Sequence, residues 1–332
     1  MRVMQSFSAM RDTTNPYLKQ LLASISTDDS QARTFSWSAA VRGQFDVLHL
    51  HWPEVLLRGS SRSKTWLRRI AFFAVLLRIR FSRRALVRTL HNLAPHEAGS
   101  FVERQLLAFC DRCTTLWITL VPSTPVPSGS APRRTILHGD YRDWFKGVPL
   151  PDPVPGRLLY FGLIRAYKGV DDLVRVFGTM SDDELSLRIV GSVKDPVLAD
   201  EIRSAAERDP RISARLEYVS DADLVDEVGP AEFVVLPYRD MHNSGSALLS
   251  LSLSRPILVP ANPVTTELSA EVGAGWVQTY TGDLSTEILQ AAVLAVRTTP
   301  RNPVPDLSAR TWDAIGAAHL AAYREALALR RR

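Results

Sequence analysis

A loop between a buried strand and an amphipathic helix places two cationic side chains, Arg165 and Lys168, between two glycines. The segment RLLYFGLIRAYKGVDDLVRVF begins as an apolar strand, turns at Gly162, and continues from Gly169 as a helix with one apolar face. A glycine turn before a helix N-terminus offers backbone N–H groups and a positive dipole end to an anion. Two cations beside it suit a diphosphate better than a single carboxylate. The spacing favours a diphosphate site, with a solvated loop as the alternative.

A second loop of small polar residues follows another strand of the same half and precedes an apolar helix. Hydroxyls and a glycine at a helix start can bind phosphate, although they also serve as an ordinary N-cap. Glu267 comes just after the next strand and would edge the same site, unless it only complements a helix dipole. The residues of this second loop are Asn243, Ser244, Gly245 and Ser246.

Histidines and carboxylates follow the strands predicted in the first half. Imidazole next to a carboxylate can remove a proton from a hydroxyl near neutral pH and can hold sugar hydroxyls. Each one could instead be a core or capping group, and the spacing of His96 and Glu97 does not match a metal-binding helix. The histidines at strand exits are His51, His91 and His138, and the neighbouring groups are Glu54, His96 and Glu97.

The composition is that of a soluble globular protein with more than one domain. The chain has 332 residues, 45 % of them hydrophobic and 23 % charged, and no run of eighteen uncharged apolar residues. The N-terminal sequence lacks the features of a signal peptide. The two cysteines, Cys110 and Cys113, are better explained by a packed helix in a reducing cytosol than by a disulfide or zinc site.

The basic character of the chain has a local source between Arg58 and Arg88. This segment holds ten lysines and arginines and no acidic residue, interleaved with aromatic and aliphatic side chains such as Trp66 and Ile70. Basic amphipathic segments commonly lie on anionic membranes, which is the interpretation we favour. A solvated helix and a nucleic-acid surface are the alternatives.

The order of predicted elements indicates an α/β protein built from parallel sheets. A proline-rich stretch at 146–156 predicts a boundary between domains 1–147 and 157–308. A long final helix, about 309–330, is expected to return to the first domain. Ligands of such sheets bind at the carboxyl ends of the strands, which brings the loop at Gly191 into the candidate site.

The second half resembles the nucleotide-sugar-binding domain of the GT-B glycosyltransferases. The resemblance rests on YFGLIRAYKGVDDLVRVF and FVVLPYRDMHNSGSALLSLSLSRPILVP. It implies two Rossmann-like, doubly wound domains facing a central cleft. It also implies that Arg165 and Lys168 contact the donor diphosphate, and that Ser244 and Gly245 contact its distal phosphate. Tyr218 and Val219 would border the base.

Three motifs of the first half, DVLHLHWPE, TLHNLAPHE and ILHGDYRDWF, resemble bacterial enzymes of polysaccharide synthesis, including mannosyltransferases. GDP-mannose is preferred as donor on this resemblance alone. The acceptor would then lie on the first domain, near His91, Asn92, His138 and Asp140.

The sequence departs from the family at one place that bears on mechanism. Many retaining relatives carry two glutamates eight residues apart, and the corresponding residues here are Met241 and Leu249. Neither can act as a carboxylate, which argues against the retaining mechanism, and an inverting displacement would instead need a base on the first domain. The candidates for that base are His96, Glu97, His51 and Glu54, with Asp140 less favoured.

Together these observations predict a metal-independent hexosyltransferase that uses no cofactor beyond its nucleotide-sugar donor. Its acceptor would be a glycan or a lipid-linked glycan, and nucleic acid is not expected as a partner. The expected location is the cytoplasm, at the inner face of the plasma membrane. Two alternatives stay open: a non-catalytic subunit that binds nucleotide sugar or a partner transferase, and a nucleotide-sugar epimerase or phosphorylase of the same fold.

Overall fold

The computed structural model describes residues 1–7, 10–11, 14–91, 99–127, 131–239 and 241–331. Within these residues the chain forms two compact units. The first unit comprises Met1–Gly139 and Ala309–Arg332, and the second unit comprises Asp140–Ser308. Each unit contains a six-stranded parallel sheet with connecting helices, which confirms the predicted α/β fold.

The sheet of the first unit has the strand order β2-β1-β3-β4-β5-β6. Its strands are β1 (Arg2–Gln5), β2 (Gln31–Arg33), β3 (Val47–Leu50), β4 (Ala85–Leu90), β5 (Leu116–Thr119) and β6 (Arg133–Thr135). The helices between them are α1 (Pro16–Ser24), α2 (Trp37–Arg42), α3 (Pro53–Leu57), α4 (Arg62–Arg80) and α5 (Phe101–Cys113).

The sheet of the second unit has the strand order β12-β11-β10-β7-β8-β9. Its strands are β7 (Arg157–Phe161), β8 (Ser186–Val190), β9 (Ile212–Arg215), β10 (Phe233–Val235), β11 (Ile257–Pro260) and β12 (Val277–Tyr280). Its helices are α6 (Val170–Phe177), α7 (Pro196–Arg208), α8 (Asp221–Val228), α9 (Gly245–Ser252), α10 (Pro263–Val272) and α11 (Thr286–Thr298). A 3-10 turn, Ala166–Lys168, precedes α6.

The last helix, α12 (Trp312–Leu329), belongs to the first unit and packs against α1 and β4. Gly316 allows α1 to come close, because a Cβ there would lie 2.6 Å from the backbone oxygen of Ser24. Alternate residues of the strands, such as Val47 and Val87, form one core with these two helices. The opposite face of the sheet packs against α2, α3, α4 and α5.

The boundary between the units lies earlier than the proline-rich stretch suggested. Residues 140–147, assigned to the first domain from the sequence, belong to the second unit. The backbone N–H of Tyr141 donates to Ser252 Oγ at 2.9 Å, and the indole N–H of Trp144 donates to Asp221 Oδ2 at 3.0 Å. These hydrogen bonds attach the segment to α9 and α8, so prolines mark a change of composition here and not the edge of the fold.

The basic segment forms α4, and this helix carries apolar residues on two faces. Phe72, Val75, Leu76 and Ile79 are buried in the core, whereas Trp66, Leu67, Ile70 and Phe73 are exposed. Several cations of the basic segment are paired, since Arg58 before the helix and Arg69 within it bind Glu103, and Arg88 on β4 binds Asp111. None of the helices in the described parts of the chain combines the length and apolar character needed to cross a membrane.

Candidate functional sites at the carboxyl edge of each sheet

The loops after β7 and β8 touch through their backbones. Gly162 and Gly191 both have positive φ angles, 118° and 147°. A Cβ on Gly191 would lie only 1.8 Å from the carbonyl oxygen of Gly162, so a side chain cannot fit. The two glycines let neighbouring loops approach at the carboxyl edge of the second sheet.

Lys168 lies against an aromatic ring at this edge. Its Nζ is 3.4 Å from the ring centroid of Tyr238, a side chain with 3 % exposure. Burial lowers the pKa of Lys168 to about 8, an effect that Tyr167 opposes and the nearby Arg165 reinforces. The loop requires a glycine at position 169, because its φ is 65° and a Cβ there would lie 2.2 Å from the carbonyl oxygen of Pro237.

The N-terminus of α9 reaches the same corner. Ser244 caps the helix, its Oγ accepting a hydrogen bond from the backbone N–H of Ala247 at 3.2 Å. A Cβ on Gly162 would lie 3.0 Å from Ser246 Oγ, so the turn and the helix start are neighbours. Burial raises the pKa of Tyr238, and hydrogen bonds from the Ser246 and Ser244 hydroxyls oppose this shift. Five predicted diphosphate residues therefore lie together with Arg165: Gly162, Lys168, Ser244, Gly245 and Ser246.

The residues predicted to bind the base and sugar are more widely spread. Tyr218 and Val219 follow β9, which β8 separates from β7, and Tyr218 is 60 % exposed. Glu267 is an exposed residue on α10, the helix that follows β11, and β11 is the neighbour of β10 in the sheet. Asn243 is half-buried directly before the Ser244 cap. Their predicted roles stay predictions.

Polar side chains occupy the carboxyl ends of three strands in the first unit, on the face covered by α1 and α12. Nearer the amino ends, the same face of these strands carries apolar residues, such as Val47 on β3 and Val87 on β4. Gln5, His49, His51, Thr89 and His91 are all buried. Because alternate residues of a strand share a face, these five groups meet in one polar layer.

Hydrogen bonds join this layer into a continuous chain, which we call the histidine network. His51 Nδ1 lies 2.9 Å from His91 Nε2, and His51 Nε2 lies 2.9 Å from Gln5 Oε1. Gln5 Nε2 donates to the Tyr323 hydroxyl at 3.3 Å. That hydroxyl is 2.8 Å from His49 Nδ1, and His49 Nε2 is 2.7 Å from Thr89 Oγ1.

The network borders a cavity of about 410 Å³ within the first unit. His51, His91 and Glu54 line it, together with Trp52, whose ring stacks on His91 at 4.3 Å between centroids. Trp117 and three residues of the loop after β5 (Pro125, Val126 and Pro127) form further walls. Aromatic rings beside hydrogen-bonding groups are suited to a sugar.

The histidines of this layer are neutral near pH 7. Burial lowers the pKa of His49, His51 and His91 well below 6.5, and the neighbouring imidazoles add to the shift. Burial also lowers the pKa of His138 and of His319 to about 4. A neutral imidazole can accept a proton, so the layer has the charge state that a base requires.

The other site residues predicted in the first half do not all lie near the histidine network. His138 lies beside the histidine network, where its ring is 4.5 Å from that of Tyr17, its Nδ1–H donates to the Gly139 oxygen, and its charge acts on His91. Asp140 lies in the second unit and accepts a hydrogen bond from the backbone N–H of Arg142. Asn92, His96 and Glu97 lie outside the described residues.

His51 is placed differently from the base that the sequence suggested. Both of its ring nitrogens are engaged, with His91 and with Gln5, and only 3 % of the residue is exposed. Although His51 is part of the cavity wall, neither of its ring nitrogens is available to take a proton from a hydroxyl. Sequence reasoning also missed Gln5, His49 and Tyr323; the alternation of β1 and β3 points to the first two, but no local signal marks Tyr323.

Two further features bear on the chemistry that the second unit could support. Met241 and Leu249, which replace the paired glutamates of retaining relatives, are buried apolar residues of the second core. Among the described residues, no group of three or more His, Cys, Asp and Glu side chains is arranged to hold a metal ion.

Comparison with known proteins places this architecture among the glycosyltransferases. No protein-family model matches the chain. A GDP-mannose:glycolipid 4-beta-D-mannosyltransferase of Xanthomonas campestris pv. campestris is 46 % identical over 314 residues, which cover 95 % of this chain and 89 % of the relative. Sucrose-phosphate synthase from Thermosynechococcus elongatus matches with a TM-score of 0.67 at 13 % identity, over 99 % of both chains. Anabaena HepE in complex with UDP matches with a TM-score of 0.60 at 12 % identity, over 100 % of this chain and 98 % of that one.

The fold is that of the GT-B glycosyltransferases. Within that class, the chain belongs to the family of the glycolipid mannosyltransferase from Xanthomonas campestris.

Proposed function

We propose that this enzyme transfers mannose from GDP-mannose to a hydroxyl of a glycolipid. The observation that carries the proposal is the 46 % identity, over 95 % of the chain, to a transferase named for that donor and that acceptor class. The corner formed by Arg165, Lys168 and the N-terminus of α9 supports it, because cations and helix N–H groups suit a diphosphate. The cavity beside His91 supports an acceptor site on the first unit.

The transfer is proposed as a single displacement with inversion. The bond between mannose C1 and the β-phosphate oxygen breaks, and its electron pair leaves with GDP. The acceptor oxygen forms the new bond to C1 and gives its proton to a base. The relative is named as a 4-beta transferase, and the mannosyl phosphate bond of GDP-mannose is α, so a β product requires inversion. The apolar Met241 and Leu249 agree with a mechanism that needs no carboxylate beneath the sugar.

His91 is our candidate for the base, with Glu54 on the wall of the same cavity. Burial keeps the imidazole neutral, and stacking on Trp52 fixes the plane of the ring. A positioned base of this kind contributes about 10²–10⁴ to a rate. His91→Asn should therefore lower kcat by at least about a hundredfold, with little change in the affinity for GDP.

Charge developing on the leaving GDP is offset by Arg165 and Lys168 in this proposal, so a metal ion is not required. Transfer should persist after treatment with EDTA. Loss of activity in EDTA that Mg²⁺ or Mn²⁺ restores would contradict this part of the proposal.

We propose further that α4 contacts an anionic membrane surface. Three of its apolar residues are largely exposed, Trp66 at 54 %, Leu67 at 68 % and Ile70 at 63 %. Exposed cations at Arg62, Lys64 and Arg80 flank them, and no acidic residue lies in the helix. This combination of apolar and basic groups matches the interface of an anionic bilayer, where a glycolipid acceptor is held.

Sedimentation with vesicles of phosphatidylcholine and phosphatidylglycerol tests the membrane contact. The double variant Trp66→Ser, Ile70→Ser should lose most binding, because both side chains are exposed and the fold does not depend on them. Leu294→Ser is the matched control, since Leu294 is 63 % exposed on α11 of the second unit. Equal binding by all three proteins would reject this surface.

Transfer of radiolabel from GDP-[¹⁴C]mannose to a glycolipid extract of Xanthomonas campestris membranes tests the function itself. Purified protein should move label into the organic phase from GDP-mannose and not from UDP-glucose, and Arg203→Ala on the exposed face of α7 should act like the wild type. Binding of GDP without transfer would support the non-catalytic alternative. A new free or nucleotide-linked epimer in the absence of acceptor would support the epimerase alternative.

A further inference from the structure

The ammonium of Lys168 is held by aromatic rings and not by an anion. Its side chain is half-buried, and within the described residues it makes neither an ion pair nor a hydrogen bond. Its Nζ lies 3.4 Å from the ring centroid of Tyr238 and 5.4 Å from that of Tyr167. A cation that leaves water without a partner is costly, so the faces of these rings supply its stabilisation.

The two rings contribute unequally. Tyr238 is 3 % exposed and belongs to the core of the second unit, whereas Tyr167 is 39 % exposed on the 3-10 turn. The attraction between a cation and a ring face is strongest at short range and where water is excluded. Tyr238 is therefore the main partner of Lys168.

The acidic residues that follow Lys168 in the sequence are bound to a different cation. Asp171 and Asp172 lie in the first turn of α6. The Nη2 group of Arg239 donates to a carboxylate oxygen of each, at 2.7 Å in both cases. These carboxylates are therefore neutralised by Arg239, and Lys168 keeps its charge uncompensated.

Arg239 also fixes the turn that carries Lys168. Its backbone N–H donates to the carbonyl oxygen of Tyr167 at 2.9 Å, and its Nη1 group donates to that of Ala166 at 2.9 Å. Because Arg239 directly follows Tyr238, these bonds tie the turn to the segment that supplies the ring. The position of the ammonium over the ring is thus set by backbone contacts.

We propose that Tyr238 is a positioning residue, whose ring holds the ammonium of Lys168 without neutralising it in the corner where the donor diphosphate binds. This inference rests on the proposed function, in which Lys168 offsets charge on the leaving GDP. A carboxylate in place of the ring would hold the ammonium but would cancel its charge before the donor arrives. An aromatic face stabilises the cation and leaves its N–H groups free to donate to phosphate oxygens.

Other titratable groups near Lys168 contribute to any pH dependence of the site. Burial lowers the pKa of Lys168 to about 8, Tyr167 opposes this shift, and Arg165 adds to it. Burial raises the pKa of Tyr238 and of Tyr160, which interacts with both rings, so these two phenols are neutral where Lys168 titrates. The two carboxylates at the start of α6 are already paired.

The pKa of Lys168 can be measured without substrate, by ¹³C NMR of the full-length protein labelled at lysine Cε, with the signal assigned by its absence in Lys168→Arg. Tyr238→Leu should lower this pKa by about one unit, because the ammonium loses the ring while its surroundings stay apolar. Tyr238→Phe keeps the ring and should keep the wild-type value. Tyr167→Leu is the matched control and should lower the pKa much less, since that ring is farther away and more exposed. An unchanged or raised pKa in Tyr238→Leu, or an equal fall in Tyr238→Phe, would overturn the proposal.

A fluorinated ring separates electrostatics from packing. Trifluorophenylalanine at position 238 has nearly the shape of phenylalanine, but its ring face carries little negative potential. It should lower the pKa of Lys168 as Tyr238→Leu does, while its melting temperature stays that of Tyr238→Phe. A pKa equal to that in Tyr238→Phe would reject the electrostatic role of the ring.

Binding and transfer supply the arm that depends on function. At pH 8, Tyr238→Leu should bind GDP about fivefold more weakly, because a smaller fraction of Lys168 is charged after a shift of about one unit. The alkaline limb of kcat/KM for GDP-mannose should move to lower pH by the same amount, and Tyr238→Phe should keep the wild-type profile. A lowered pKa with unchanged GDP binding would reject the link to the diphosphate. A wild type that shows the effect of the ring on the pKa but transfers no mannose would reject the proposed function and leave the positioning result standing.

Discussion

The carboxyl edges of the two sheets carry side chains of different charge and hydrogen-bonding character. At the carboxyl edge of the second sheet, a half-buried lysine and arginine lie beside glycine turns and the start of α9. At the same edge of the first sheet, the candidate side chains are buried and hydrogen-bonded to one another, and the histidines among them are neutral near pH 7. One edge offers positive charge and backbone N–H groups, whereas the other offers neutral imidazoles within a hydrogen-bonded network.

This difference follows from what each substrate would need. A diphosphate brings its own charge, so a site for it can be built from a short local segment and a helix start. Deprotonating a hydroxyl requires a base with a defined protonation state, which depends on several partners. The first site is local in the sequence, and the second is assembled from β1, β3, β4 and α12.

Loss of the lysine should have the largest effect. Lys168→Ala should lower kcat by about 10²–10³, because the charge on departing GDP loses its main partner. Initial rates of mannose transfer at saturating GDP-mannose measure this. Arg203→Ala, which removes an exposed cation from α7, is the control and should retain full activity. A decrease in kcat of less than threefold in Lys168→Ala would contradict an electrostatic role for the second edge.

A methyl group at Gly169 should disturb the same edge through the backbone. Gly169→Ala places a Cβ 2.2 Å from the Pro237 oxygen at a φ of 65°, so the loop after β7 must shift at a cost of about 1–3 kcal/mol. We expect a lower melting temperature and weaker stabilisation by GDP. Gly178→Ala is the control, since its φ is −63° and its Cβ would meet nothing closer than 3.4 Å. Equal behaviour of the two variants would contradict this account of the loop.

The two edges should also differ in alkaline pH dependence. The pKa of Lys168 is about 8, so kcat/KM should fall as the pH rises above 8 and the ammonium is lost. Lys168→Arg keeps its charge throughout and should remove that limb from the profile. An identical alkaline limb in Lys168→Arg would show that another group titrates.

On acidification the first unit should loosen before the second. Five of its histidines have lowered pKa values, so below their ordinary pKa of 6.5 the unfolded chain binds protons that the folded unit excludes, and stability falls with pH. In the second unit, hydrogen bonding to Arg188 lowers the pKa of Glu227, and its contribution is lost only below the ordinary 4.5. Between pH 6.5 and 5, the protection of backbone amides from hydrogen exchange, relative to their intrinsic exchange rates at each pH, should fall in β3 and β4 and not in β7 and β8. An equal loss of protection in both units would contradict this difference between them.

The sequence anticipated the local site better than the assembled one. Gly162, Arg165 and Lys168 lie within seven residues, so their spacing alone indicated an anion site. Gln5 and Tyr323 are 318 residues apart, and no pattern in either segment shows that they meet. His51 was predicted as a base from its type and place, yet its two nitrogens are engaged because β1 and β4 supply partners on both sides.

The basic helix shows the same limit. Its aromatic and aliphatic residues predicted an amphipathic segment, but only the packing separates Phe72 and Leu76 in the core from Trp66 and Ile70 at the surface. The start of the second unit at Asp140 could not be predicted from the sequence either, because it depends on contacts such as the hydrogen bond from Tyr141 to Ser252. Periodicity identifies elements, and contacts across the chain decide which face each element buries.

Hydrogen exchange with and without GDP tests the division of labour between the two edges most directly. We expect slower exchange at residues 162–170 and 244–248, where the diphosphate would meet backbone N–H groups. No change is expected at residues 47–52 and 85–91, which form the proposed proton-accepting edge. Protection of residues 47–52 and 85–91 by GDP, with none at residues 162–170, would contradict this division of labour.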